Sequence, residues 1–168
     1  MERCLRGRRL PLERLLLSNC ALLDGDVCAY VSMLGASLGA AAAPLRVLEL
    51  AHNDVGERGT LALAAAVGAG LLPSLEHLRF DRNRFARGSV PLLCGALVGA
   101  PRLTAFTAEA SCGADVWERA CVPPLSALPR LRWVSPAVAG REAFPYEPAG
   151  LDGACPECWR GEERWGTL

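Results

Sequence analysis

Two cysteines near the end of this 168-residue chain, Cys155 and Cys158, form the one short motif with ready-made site chemistry. A C-x-x-C turn can present two thiolates to one zinc ion, but a tetrahedral structural site needs two more ligands. The sequence has no second C-x-x-C, and its two histidines, His52 and His77, lie far back in the chain. Cys155 and Cys158 are therefore weak metal candidates, and no cofactor is expected. A redox role fits no better, because a thioredoxin-type pair follows a strand and opens a helix, which Gly153-Ala154 does not suggest. His77 and Asp81 would be separated by about 13 Å along a strand, too far for a base and its orienting acid. G-x-S-x-G, P-loop, H-E-x-x-H and G-x-G-x-x-G motifs are absent. No catalytic residue is expected, and the chain reads as non-enzymatic.

What the chain does repeat is a pattern of apolar residues. Leu45-x-x-Leu48-x-Leu50-x-x-Asn53-x-Val55 places Leu48 and Leu50 on one face of a short strand, with Val47, Glu49 and Ala51 on the other. Asn53 falls at the following bend, where its amide can satisfy backbone groups that a buried turn would leave unpaired. Gly59, Leu63 and Val67 then recur at helical spacing in an Ala-rich run. The same template fits Leu12-x-x-Leu15-x-Leu17-x-x-Cys20-x-Leu22, with Tyr30 and Leu34 on its helix, and Leu75-x-x-Leu78-x-Phe80-x-x-Asn83-x-Phe85, with Leu93 and Leu97. A weaker copy runs through Leu103, Phe106, Ala108 and Ser111 to Trp117, Cys121 and Leu125, and a partial fifth starts at Leu131 with Val134. The starts at 12, 45, 75, 103 and 131 are 33, 30, 28 and 28 residues apart.

A period near 28–30 residues with a full helix in each unit resembles the ribonuclease-inhibitor type of leucine-rich repeat. The resemblance covers about residues 12–134. It implies an α/β solenoid of about four repeats plus a partial fifth, with parallel strands on a concave face and helices on a convex one. Ser111 in place of Asn or Cys, Ala108 in place of a large apolar residue, and Pro123-Pro124 depart from the pattern and are expected to cut the fourth helix short. The family includes ribonuclease inhibitors, innate-immune receptors and Ran GTPase-activating proteins. It therefore implies a protein-interaction module or scaffold first, and a regulator of a small GTPase as the alternative. The alternative would need an exposed arginine such as Arg58, Arg84 or Arg87 acting on a partner's nucleotide. A zinc-binding tail using the repeats as a docking platform is a further alternative.

Around the array, residues 1–11 form a weak N-terminal cap with only Leu5 and Leu10 as apolar anchors, and residues 135–168 an irregular Pro- and Gly-rich tail. Phe144, Tyr146, Trp159 and Trp165 make that tail too apolar for a free linker, so folding back as a cap is one reading of it. The net charge is zero and every basic residue is Arg, a bias that carries no evidence for nucleic acid. No run of eighteen apolar residues and no signal-peptide pattern occurs, which points to a cytoplasmic protein, with the nucleus equally open and no membrane partner. Cys20 and Cys121 fall on template positions, and these two with Cys28 and Cys94 are expected to pack as small apolar residues in the core; Cys20, Asn53, Asn83 and Ser111 are the turn residues. Stacked strands would line up Arg14, Val47, His77, Ala105 and Trp133 in one row, Leu16, Glu49, Arg79, Thr107 and Ser135 in a second, and Ser18, Ala51, Asp81 and Glu109 in a third. The expected partner-binding surface comprises Arg14, Leu16, Val47, Glu49, His77, Arg79, Asp81, Thr107, Glu109 and Trp133. In it, Leu16, Val47 and Trp133 supply exposed apolar contact and the charges supply specificity.

Overall fold

A computed structural model describes residues 12–37, 44–86, 88–108 and 114–135. Within them lie five three-residue strands, β1 (Arg14–Leu16), β2 (Val47–Glu49), β3 (His77–Arg79), β4 (Ala105–Thr107) and β5 (Trp133–Ser135). They form one parallel sheet in chain order. Parallel neighbours need a crossover. Helices supply it: α1 (Asp24–Ser37) between β1 and β2, α2 (Glu57–Gly68) between β2 and β3, and α3 (Ser89–Ala96) with a 3-10 turn (Leu97–Gly99) between β3 and β4. The chain is thus α/β with a parallel sheet, and α1 packs on α2 and α2 on α3.

The strand register follows the apolar spacing. Leu15, Leu48, Leu78, Phe106 and Val134 are successive partners across the sheet. Leu48, Leu78 and Phe106 are wholly buried and Val134 nearly so. Each such side chain contributes about 1.5–3 kcal/mol by leaving water. The helices return to this row through Leu63 and Val67 on α2 and Leu93 on α3, all fully buried, while Phe106 stacks on Trp117 at 6.5 Å between ring centroids. Two residues past the end of α2, Gly70 has a φ of +71° that lets the Leu71 N–H turn back to the Ala66 carbonyl at 3.0 Å.

Three expectations meet corrections here. Pro123 and Pro124 do not cut the fourth helix. The helical run continues from α4 (Ala114–Val116) through a wider π turn (Trp117–Cys121) into α5 (Val122–Ser126). The prolines are the second and third residues of α5, directly after the π turn. Cys94 and Cys121 are buried as expected, but Cys20 is exposed and Cys28 only partly covered. Cys20 lies in the turn after β1, at the end of the sheet, and no described strand pairs on that strand's outer side. Arg79, expected to stand out of the core as a surface charge, keeps only 12 % of its side chain exposed. No described helix is long and apolar enough to cross a membrane. Residues 1–11, Arg87, Glu109, Ser111 and the tail from 136 on, with Cys155 and Cys158, lie outside the described residues, and Trp133 is placed by its backbone alone.

Candidate functional site

The face of the sheet opposite the helices is built from the residues between the core leucines. The register joins Arg14, Val47, His77, Ala105 and Trp133 in one row, and Leu16, Glu49, Arg79, Thr107 and Ser135 in the next. Alternation in the strands fixes which residues point this way. It does not fix how much of each reaches water. Arg14 is exposed, Leu16 is 53 % exposed, and Glu49, His77 and Arg79 are partly covered.

Val47, Asp81 and Thr107, expected on the exposed surface, are buried at 8, 4 and 2 % exposure. Val47 is flanked in its row by Arg14 and His77, longer side chains that cover it. Thr107 is turned inward because its hydroxyl donates to Asp81 Oδ2 at 2.6 Å, and the same oxygen takes the Arg79 Nε–H at 3.1 Å. The three form a covered network tying β3 to β4. Arg79 therefore serves the fold before it serves a partner. Among the described side chains, the surface that reaches solvent is narrower than the alternation implied and centres on Arg14 and Leu16 of β1, Glu49 of β2 and His77 of β3.

At the N-terminal ends of β1, β2 and β3 this face deepens into an open cleft of about 210 Å³, lined by Glu13, Arg14, Arg46, Val47, Glu76 and His77. Arg46 sits between two carboxylates, 2.7 Å from Glu76 Oε2 and 3.9 Å from Glu13 Oε2. The hydrogen bond from Arg46 holds the Glu76 carboxyl below its usual range and pushes the Arg46 guanidinium up. Burial in the cleft lowers the His77 imidazole, with Glu76 opposing and Arg14 and Arg46 reinforcing. Sequence reasoning missed this charge row. The signal was there, because Glu13, Arg46 and Glu76 hold the same place in three successive copies of the template.

The turn residues behave differently from the face. Asn53 is 6 % exposed, and its side-chain oxygen accepts the N–H groups of Cys20 and Leu22, both at 3.0 Å. Its amide nitrogen donates to the carbonyls of Leu17, Leu50 and Ala51 at 2.8–3.2 Å. Asn83 repeats the arrangement one step on, accepting from Val55 N–H at 3.2 Å and donating to Leu50, Phe80 and Asp81 carbonyls. Each asparagine closes its own bend and reaches back to the preceding one. The residue before each bend, Asn19, His52 and Arg82, holds a left-handed conformation with φ of 49–57°. Cys20 cannot make the corresponding reach; its thiol lies 3.5 Å from the Ser18 carbonyl.

Among the described residues no group of three or more His, Cys, Asp or Glu could hold a metal ion. The Asp81 carboxylate is engaged by Arg79 and Thr107. Of the arginines named for action on a nucleotide, Arg84 is paired with Asp54 at 2.8 Å and Arg58 is exposed near the start of α2. Compared with protein-family models, curated proteins and solved structures, the chain matches none.

Proposed function

We propose that this chain is a leucine-rich-repeat array of the ribonuclease-inhibitor type, acting as a protein-interaction module through the open face of its sheet. The observation that carries the reading is the register. Chemically different side chains, Arg14, Leu16, Glu49 and His77, are held in fixed rows on a rigid parallel sheet whose opposite face is the core. Such a surface offers a partner preset contacts without the entropy cost of ordering a loop. The asparagine turns support the repeat reading, because Asn53 and Asn83 make the same backward bonds at equivalent positions.

The test is affinity capture from native cell extract with three forms of the purified chain. Wild type, a face variant carrying Glu49→Arg and His77→Glu, and a helix-layer variant carrying Arg58→Glu are compared after unfolding curves have shown each to be folded. Reversed charge at an interface costs a partner several kcal/mol, and the unfolding curves measure separately what the partly covered Glu49 and His77 sites cost the fold. Partners lost with the face variant and kept with the helix variant support the proposal. Partners lost with the helix variant alone contradict it.

A further inference from the structure

β1 is the edge strand of the sheet, and it is unlike the strands inside. Its core-facing Leu15 and Leu17 are only partly buried, as are Leu22, Tyr30, Val31 and Leu34 behind it. The equivalent Leu48, Leu50, Val55, Leu63 and Val67 of the next copy are 0–2 % exposed. On its other face Leu12, Arg14 and Leu16 alternate, and both leucines are half exposed. The inner side of the strand is used up: Glu13 O accepts from Arg46 and Val47, Leu17 N–H donates to Glu49, and Asn19 N–H donates to Ala51. The pleat therefore aims the backbone groups of residues 14 and 16 at the open side, where no described strand pairs. An open strand edge flanked by apolar side chains is a template for another strand.

Arg14 says which strand. Among the described residues it makes no ion pair, because the cleft's two carboxylates, Glu13 and Glu76, flank Arg46. We propose that the outer edge of β1 binds an extended peptide segment of a partner protein by strand addition, the segment carrying an acidic residue opposite Arg14 and an apolar residue two positions to either side. Main-chain hydrogen bonds to residues 14 and 16 hold the segment, and its alternate side chains read Leu12, Arg14 and Leu16. A second copy of this chain is a poor occupant. When two sheets join with their helices on one side, same-face residues meet, and those of β1 are Leu12, Arg14, Leu16 and Ser18. None is acidic, so Arg14 would face leucine, serine or itself. The edge shares Arg14 and Leu16 with the open face of the sheet, but its readout, protection of the Arg14 and Leu16 amides, does not involve Glu49 or His77, so failure of one proposal is distinguishable from failure of the other.

The experiment uses the full chain and two blocked seven-residue peptides that alternate threonine with valine, a central charged residue and valine; the centre is glutamate in one and lysine in the other. Binding is followed by fluorescence anisotropy and by amide shifts in heteronuclear NMR. The glutamate peptide binds at least about tenfold more tightly than the lysine peptide, a difference of about 1.4 kcal/mol, with shifts concentrated between residues 12 and 19 and slower exchange of the Arg14 and Leu16 amides. Arg14→Glu reverses the preference between the two peptides while leaving the unfolding midpoint near wild type. Leu16→Pro, which removes one edge donor at a place where an edge strand tolerates proline, weakens both. Equal binding of the two peptides, shifts mapping to another part of the sheet, or a dimer in sedimentation whose Arg14 and Leu16 amides are already protected would overturn the proposal.

Discussion

The Asp24 carboxylate, carried at the start of α1, accepts the backbone N–H groups of Gly56 at 2.6 Å and Gly59 at 2.9 Å at the start of α2. One helix thus caps the next. The first N–H groups of a helix lack intrahelical partners, and a carboxylate there satisfies them and opposes the positive end of the helix dipole. Gly56, the capping position itself, has no side chain to do this. The approach also explains Gly59, since a β-carbon there would lie 2.7 Å from both Asp24 Oδ1 and Val55 Cγ1.

Asp24→Ala is accordingly expected to lower stability by about 0.5–2 kcal/mol, with Asp24→Asn losing less because it keeps an acceptor. Gly59→Ala, which would ordinarily favour a helix, is expected to cost about 1–3 kcal/mol through overpacking. Urea unfolding of the three variants checks both; a stabilising Gly59→Ala would show that the contact between α1 and α2 is looser than described.

Asn53 makes five hydrogen bonds to backbone groups of two successive bends. Asn53→Ala strands several of them, and loss of about 1–3 kcal/mol per buried unpaired group sets the scale. Asn53→Asp keeps the acceptor for Cys20 and Leu22 but turns a carboxylate oxygen toward the carbonyls of Leu17 and Leu50, so it should be no milder than Ala. A denaturation series that placed Asn53→Asp near wild type would contradict the assigned orientation of the amide.

Arg79 and Asp81 are joined at 3.1 Å with side-chain exposures of 12 and 6 %. Removing one partner of a fully buried pair costs about 3–5 kcal/mol, and here the Thr107 hydroxyl, which stays on Asp81, offsets part of that loss. Arg79→Glu is therefore expected to destabilise the fold clearly, whereas Arg58→Glu, at an exposed site near the start of α2, is expected to change it by well under 1 kcal/mol. Equal unfolding midpoints for the two variants would mean that Asp81 is not held as the structure has it.

His77 sets a pH dependence. Burial favours its neutral form, so its folded-state pKa lies below the ordinary value of 6.5. As pH falls through 6.5 the unfolded chain takes up that proton first, and stability declines until the pH passes the folded value. Glu76, Arg14 and Arg46 face the imidazole and set how far the shift runs. His77→Gln is expected to flatten this part of the stability curve. Melting temperatures measured from pH 8 to pH 5 in both proteins read it out, and parallel curves would rule the histidine out as the cause.

The apolar spacing sufficed to align the strands, because the core row Leu15, Leu48, Leu78, Phe106 and Val134 leaves one register that buries all five. The asparagine turns were equally legible, as an amide at a buried bend has few other uses. The exposure of the opposite face was not. Val47 and Thr107 are covered by what stands next to them in the row, and neighbours about 30 residues away in sequence enter no periodicity. Asp24 escaped notice for the same reason: its carboxylate acts 32 and 35 residues downstream. The π turn at Trp117–Cys121 shows how two prolines can be absorbed by a local change of helix pitch where a break was expected.

The central claim, that partners dock on the open face of the sheet, is tested most directly by hydroxyl-radical footprinting of the chain alone and with a partner recovered by capture. Side chains on the two faces report separately: His77 on the sheet, and Met33, Leu61 and Leu92, which are 61, 37 and 59 % exposed, on the helices. Protection of His77 with unchanged labelling of Met33, Leu61 and Leu92 is the predicted result. Protection of the three helix residues with His77 labelled as in the free chain would contradict it.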